Sequence, residues 1–195
     1  RHPRRRPLHR ERGALDRVRR FHEPILNARL ADSLLFWDQD RRVPLAKHAA
    51  RLAQGTFHER IGSMAEKSAR LQALVKVLAE AWQLDAGTTK RAIRAAELAK
   101  ADLVTTMVKE FPTLQGVMGK YYAKAAGEPE DVCHAIEQHY WLNDAVTPQR
   151  RAERIPGGEV SLAVAIADKF DTLASYFGLG IEPTIPTPVV DVAQL

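Results

Sequence analysis

An all-α helical bundle of about six to eight helices is the fold this sequence predicts. Three observations predict it. Apolar residues recur at helical spacing along almost the whole chain. No stretch shows the two-residue alternation of a half-buried strand. Glycines and prolines stand at the ends of the periodic segments, where they close one helix and open the next.

The elements follow in order. Arg29-Leu30-Ala31-Asp32 leads into Leu34, Leu35, Phe36 and Trp37, a compact apolar cluster that ends in Asp38-Gln39-Asp40-Arg41-Arg42. Pro44 stands where a helix begins, since its missing N–H costs nothing there. Thr56-Phe57-His58-Glu59 has capping-box spacing, with Thr56 as N-cap. Behind it Ile61, Met64, Leu71, Leu74, Val75, Leu78 and Trp82 share one helical face. Gly87 with Thr88 and Thr89 breaks and restarts the chain. The next helix carries Ala92, Ala96, Leu103 and Met107 and stops near Phe111-Pro112. Leu114 to Ala125 form another, closed by Gly127, and Pro129 opens a short one with Val132, Ile136 and Tyr140. Residues 142–158 are polar and read as a long loop. The final helix runs from about Glu159 to Phe177, with Gly178 as its left-handed stop. Pro183, Pro186 and Pro188 then forbid helix.

The expected organisation is a basic, flexible arm over 1–25, a helical domain over 26–178 and an extended, proline-containing tail over 179–195. The length fits a single domain of ordinary size, or one and a half. The net charge of +5 is unevenly spread. Residues 1–20 hold nine arginines against Glu11 and Asp16, or +7; the other 175 residues hold twenty basic and twenty-two acidic side chains, or −2. An arm of that kind can bind phosphates through counterion release, but the plainer reading, a solvated and poorly ordered terminus, is preferred. No apolar run approaches the length of a membrane span, and no apolar segment follows the N-terminal arginines as in a secretory leader. The single Cys133 excludes a disulfide framework and a cysteine-rich zinc site; it is expected to be a small, partly buried thiol in a reducing cytoplasm.

The most specific run is Glu110-Phe111-Pro112-Thr113-Leu114-Gln115-Gly116-Val117-Met118-Gly119-Lys120-Tyr121-Tyr122-Ala123. It follows Lys100-Ala101-Asp102-Leu103 and precedes Ala167-Asp168-Lys169-Phe170-Asp171-Thr172-Leu173. With Arg29 to Asp32, Phe36-Trp37, Pro44-Leu45, Phe57-His58, Ile61 to Ser63, His139-Tyr140 and Phe177 to Gly180, these blocks span about 155 of 195 residues. In this order they resemble the middle of the β subunit of the bacterial two-subunit glycyl-tRNA synthetase. The resemblance implies an HD-domain-like helical bundle within a much longer subunit. It implies a part in holding tRNA(Gly), with ATP and Mg used for glycine activation on a separate α subunit and no cofactor in this chain. The partners implied are tRNA(Gly), the α subunit and the remaining β-subunit domains. Residues 1–25 do not match, and the resemblance stops after Thr184.

An HD-type metal phosphohydrolase carries a His on one helix, a His-Asp pair on the next and a distant Asp, converging on metal-bound water. The corresponding positions here are His58, Ala101, Asp102 and Asp168 or Asp171. Alanine cannot ligate, and Lys100 competes with a cation. Asp102 with Asp168 or Asp171 therefore reads as a polar contact paired with Lys100 or Lys169, and no metal ligand or catalytic residue is assigned. No phosphate-binding glycine loop and no nucleophile triad appear. Candidate phosphate contacts are Arg29, Lys47, Arg51, Arg60, Lys67, Lys100, Lys109 and Lys120, with Tyr121, Tyr122 and Trp141 able to stack on bases. Three readings stand: a tRNA-positioning β-subunit piece, an HD-type phosphohydrolase, and an inactive remnant.

Overall fold

Residues Leu8–Asp40 form one helix, α1, with Pro24 inside it. The computed structural model describes residues 8–141 and 155–181, with side chains from residue 16 onward. The chain divides into two units, Arg1–Gln39 and Asp40–Leu195. Helix therefore covers the part of the basic arm from Leu8 on, and the second unit begins at Asp40 rather than at residue 26. The apolar cluster at the end of α1 is only partly withdrawn from solvent: Leu34 and Leu35 are exposed, Phe36 and Trp37 half-buried.

The second unit starts with α2 (Leu45–Ala49), for which Pro44 is the N-cap, and a 3-10 turn over Ala50–Gln54. Two short antiparallel strands follow, β1 (Thr56–His58) and β2 (Gly62–Ser63). The capping box expected at Thr56 and Glu59 is thus a strand. The true box lies seven residues on, at Ser63 and Glu66: the Ser63 hydroxyl accepts from the Glu66 N–H, and the Glu66 carboxylate accepts from the Ser63 N–H at 2.6 Å. It opens α3 (Met64–Ala81). Asp85 caps α4 (Ala86–Leu98) by accepting from the Gly87 and Thr88 amides.

The single helix expected from Ala92 to Met107 is broken. After Leu98 the chain makes a 3-10 turn over Ala101–Val104 and then a new short helix, α5 (Thr106–Glu110). Two caps drive the break. The Thr105 side chain accepts from the Val108 amide, and the Asp40 carboxylate takes the Thr106 and Met107 N–H groups, each at 2.9 Å. Helices α6 (Val117–Ala125), α7 (Glu130–Gln138) and α8 (Gly158–Gly178) complete the fold. The loop read over 142–158 lies outside the described residues up to 154, as does the tail from 182.

Helix α8 is the centre of the second unit and packs against α3, α4 and α7. Small residues make this possible: Ala92, Ala95 and Ala96 of α4 and Ala163, Ala165 and Ala167 of α8 are fully buried, which lets backbones approach. Leu71, Val75, Leu98, Val132, Ile136 and Val164 fill the space between them. The described residues are all-α apart from the two short strands, with eight α-helices. None of these helices is long and apolar enough to cross a membrane.

Candidate functional site

Helical spacing aims Asp168 and Asp171 of α8 at one side, into the bundle, where both are almost fully buried. Buried carboxylates need cations, and α3 supplies one. Lys67 falls between Met64 and Leu71 on the buried stripe of α3. Its Nζ lies 3.2 Å from Asp168 Oδ1 and 2.9 Å from Asp171 Oδ2, and donates to Thr172 Oγ1 at 2.8 Å. Arg70, one turn on, donates to both oxygens of Asp171. Lys100, in the break after α4, reaches Asp168 Oδ2 at 3.2 Å, and Lys169 approaches the same oxygen at 3.9 Å.

Aromatic rings close the cluster. The Phe57 ring centroid lies 4.5 Å from Lys67 Nζ, and the Tyr140 ring centroid 4.2 Å from Lys100 Nζ, both within cation–π range. His139 is fully buried against Tyr140, with ring centroids 4.0 Å apart. Its Nδ1 lies 3.2 Å from the Ala135 carbonyl, which assigns the proton to Nδ1. Burial, and then the charge of Lys100, push the imidazole well below its usual range, so it is neutral.

Asp102 sits beside this cluster and is held differently. Its Oδ2 accepts the Gly116 N–H at 2.6 Å and the Gly119 N–H at 3.1 Å. Both glycines are required by that approach. Gly116 has φ +78°, and a Cβ there would meet the Tyr140 ring at 2.5 Å; a Cβ at Gly119 would meet Ile136 at 2.7 Å. The run Glu110–Ala123 is thus a mould around one carboxylate. Burial pushes Asp102 up to about 6, against the two amides and Lys100, which pull it down. Burial also pushes Asp168 upward, but Lys100, Lys67 and Lys169 outweigh it and hold the carboxyl well below the usual range. Lys100 is brought down to about 8, chiefly by burial.

These contacts decide where the sequence-selected residues stand. Asp168 pairs with Lys100, and Lys169 approaches it. Ala101 is buried and contributes no ligand. His58 turns to Tyr176, ring centroids 5.8 Å apart, and its Nδ1 accepts the Arg60 N–H. Among the described residues no three His, Cys, Asp or Glu side chains are grouped to hold a metal. The residues therefore do not fit a phosphohydrolase metal centre: one ligand position is alanine, and the carboxylates already face lysine and arginine. Of the phosphate candidates, Lys67 and Lys100 belong to the interior, 3% and 4% exposed, and cannot reach an external phosphate in this fold. Arg29, Arg51, Arg60 and Lys109 are exposed. Lys120 is half-buried and bonds Glu137 at 2.8 Å. Tyr121 is exposed, whereas Tyr122 is buried and donates to Asp40 at 3.0 Å. Trp141 is half-buried. Cys133 is a buried free thiol.

The sequence reading missed Arg70, and it missed that Lys67 is internal. The second was legible: a lysine three residues after Met64 and four before Leu71 lies on the apolar face.

The family model for the glycyl-tRNA synthetase β subunit matches residues 9–186. The chain belongs to this family. Curated glycine–tRNA ligase β subunits are close to it: one from Neisseria meningitidis serogroup C is 45% identical over 165 residues, 85% of this chain and 23% of that protein. One from Moorella thermoacetica is 44% identical over 170 residues, 87% of this chain and 24% of the relative. One from Lactobacillus acidophilus is 45% identical over the same length and shares. This β-subunit region thus spans about a quarter of the length of the curated relatives it matches. Its buried Lys67–Lys100–Asp168–Asp171 cluster and its Asp102 mould lie within the matched residues.

Proposed function

We propose that this chain acts in glycyl-tRNA synthesis as an HD-like helical part of a glycyl-tRNA synthetase β subunit, positioning tRNA(Gly) in the cytoplasm. ATP-dependent glycine activation, with its Mg, takes place on a separate α subunit, and the α subunit and remaining β-subunit domains are its protein partners. Family membership carries this reading. The described chemistry agrees with a positioning role. The buried charges pair with one another and make a scaffold, while Arg51, Arg60 and Lys109 face solvent, where they can contact phosphates without reading bases.

The test is filter binding of tRNA(Gly) to the full chain at several salt concentrations. Binding should weaken steeply with salt, by roughly one log unit per log unit of salt for each phosphate contacted. It should survive deletion of residues 1–20 and fall in an Arg51→Ala, Arg60→Ala, Lys109→Ala triple variant. Binding lost with the arm and unaffected by the triple variant would move the role to the arm. Absence of binding at low salt would leave the inactive-remnant reading.

A further inference from the structure

The Asp102 mould uses only part of the run Glu110–Ala123. Gly116 and Gly119 give their amides to Asp102, Met118 and Ala123 are buried, and Tyr122 donates to Asp40. Tyr121 does none of this. It stands on the outer face of α6 and is 51% exposed. The ring is bare for a reason that lies in the helix. Helical side chains lean toward the N-terminus, so the residue placed to cover Tyr121 is Ala125, one turn on, and a methyl group is too short. Ala125, Ala126 and Gly127 are all exposed, and a Cβ at Gly127 would meet nothing within 4 Å. No other large apolar side chain of α6 is exposed, so the ring is not part of an apolar patch that a folded protein surface would cover.

Basic groups stand at its rim. Lys120 Nζ lies 5.9 Å from the Tyr121 ring centroid, within cation–π range, and its ion pair with Glu137 at 2.8 Å holds it there. Lys124, three residues on, shares the face of Tyr121 and is exposed. The carboxylates that follow are already neutralised: Glu128 by Arg94 at 2.6 Å, and Glu137 by Lys120. No ion pair among the described residues engages Lys124, so its charge is available to an external anion.

We propose that Tyr121 is a stacking platform for an unpaired base of single-stranded RNA, with Lys124 on the adjoining phosphate. The proposal rests on the tRNA-positioning reading and adds to it a contact that a duplex cannot make. A flat ring with a cation beside it matches a nucleotide, which joins a flat base to an anion. Stacking uses the π-face that every base has, so the site accepts any base but requires that base to be unstacked from its neighbours. The ends and loops of a folded RNA supply such bases.

Fluorescence anisotropy of the full chain with three labelled probes tests this: a single-stranded oligoribonucleotide of about ten residues, the same sequence as a duplex, and tRNA(Gly). The single strand should bind more tightly than the duplex. Tyr121→Ala and Tyr121→Leu should each weaken single-strand binding about tenfold, and Tyr121→Phe, which keeps the ring, should preserve it. Lys124→Ala should lower the slope of log affinity against log salt by roughly 0.7, the share of one single-strand phosphate. Circular dichroism should show these variants folded, since both positions are exposed. Irradiation of the oligonucleotide carrying 5-iodouridine should cross-link it to Tyr121, located by mass spectrometry of peptides. Wild-type binding of tRNA(Gly) with single-strand affinity unchanged in Tyr121→Ala overturns the platform and leaves the tRNA-positioning reading standing. An equal loss in Tyr121→Phe, or a cross-link confined to other residues, overturns it in the same way. Absence of binding to every probe at low salt removes both readings.

Discussion

Asp102 shows how much one side chain can demand of its surroundings. Its Oδ2 holds two amide hydrogens, while its buried Oδ1 has no hydrogen-bond partner among the described residues. Replacing Asp102 with Ala leaves both amides unsatisfied, and urea denaturation should register a loss of about 3 kcal/mol. The carboxyl rises from 3.8 to about 6 in the fold, so the native state binds the extra proton between those values. Its contribution is present at the acid end and lost as pH rises through about 6, which amounts to about 3 kcal/mol. Asp102→Asn should flatten that part of the stability–pH curve while preserving the two amide bonds. Gly116→Ala should destabilise by about 3 kcal/mol, from left-handed strain and overlap with the Tyr140 ring. Lys67→Met strips a cation from two buried carboxylates and should cost about 3–5 kcal/mol by the same denaturation measurement.

Caps and breaks separate what the sequence discloses about elements from what it hides. The long apolar stripes of α3 and α8 and Pro129 before α7 are visible because each is local, whereas the left-handed stop expected at Gly178 falls at Gly180, with φ +71°, and Gly178 is the last helical residue. The start of α3 is displaced because two stretches satisfy the capping pattern, Thr56 to Glu59 and Ser63 to Glu66, and only the second precedes unbroken helix. Ser63→Ala should lower the melting temperature by about 2–4 °C. The break at Lys100 is not local at all. It depends on the carboxylate of Asp40, sixty-six residues before Thr106, which accepts the Thr106 N–H that starts α5. The same distinction holds at the site. The resemblance placed Asp102, Asp168 and Asp171, and helical spacing could have placed Lys67. That Gly116 and Gly119 serve Asp102 follows only from the folded backbone.

Across the whole molecule the formal charge misstates what a partner meets. Lys67 and Lys100 count as cations in the composition but neutralise Asp168 and Asp171 inside the bundle. With those carboxylates taken, about 1 mM Mn²⁺ should leave the melting temperature unchanged within about 1 °C, whereas a tight metal site would raise it by several degrees. Lys100 also titrates in the alkaline range. Because it falls from 10.5 to about 8, its contribution is present above the unfolded value and lost as pH falls through about 8. The two buried amines have a kinetic consequence as well. An amine-reactive reagent meets Lys76 and Lys109 on the surface at once, but reaches Lys67 and Lys100 only when the bundle opens. The slow modification of those two lysines, followed by mass spectrometry of peptides, is a clock for global opening carried within the native sequence.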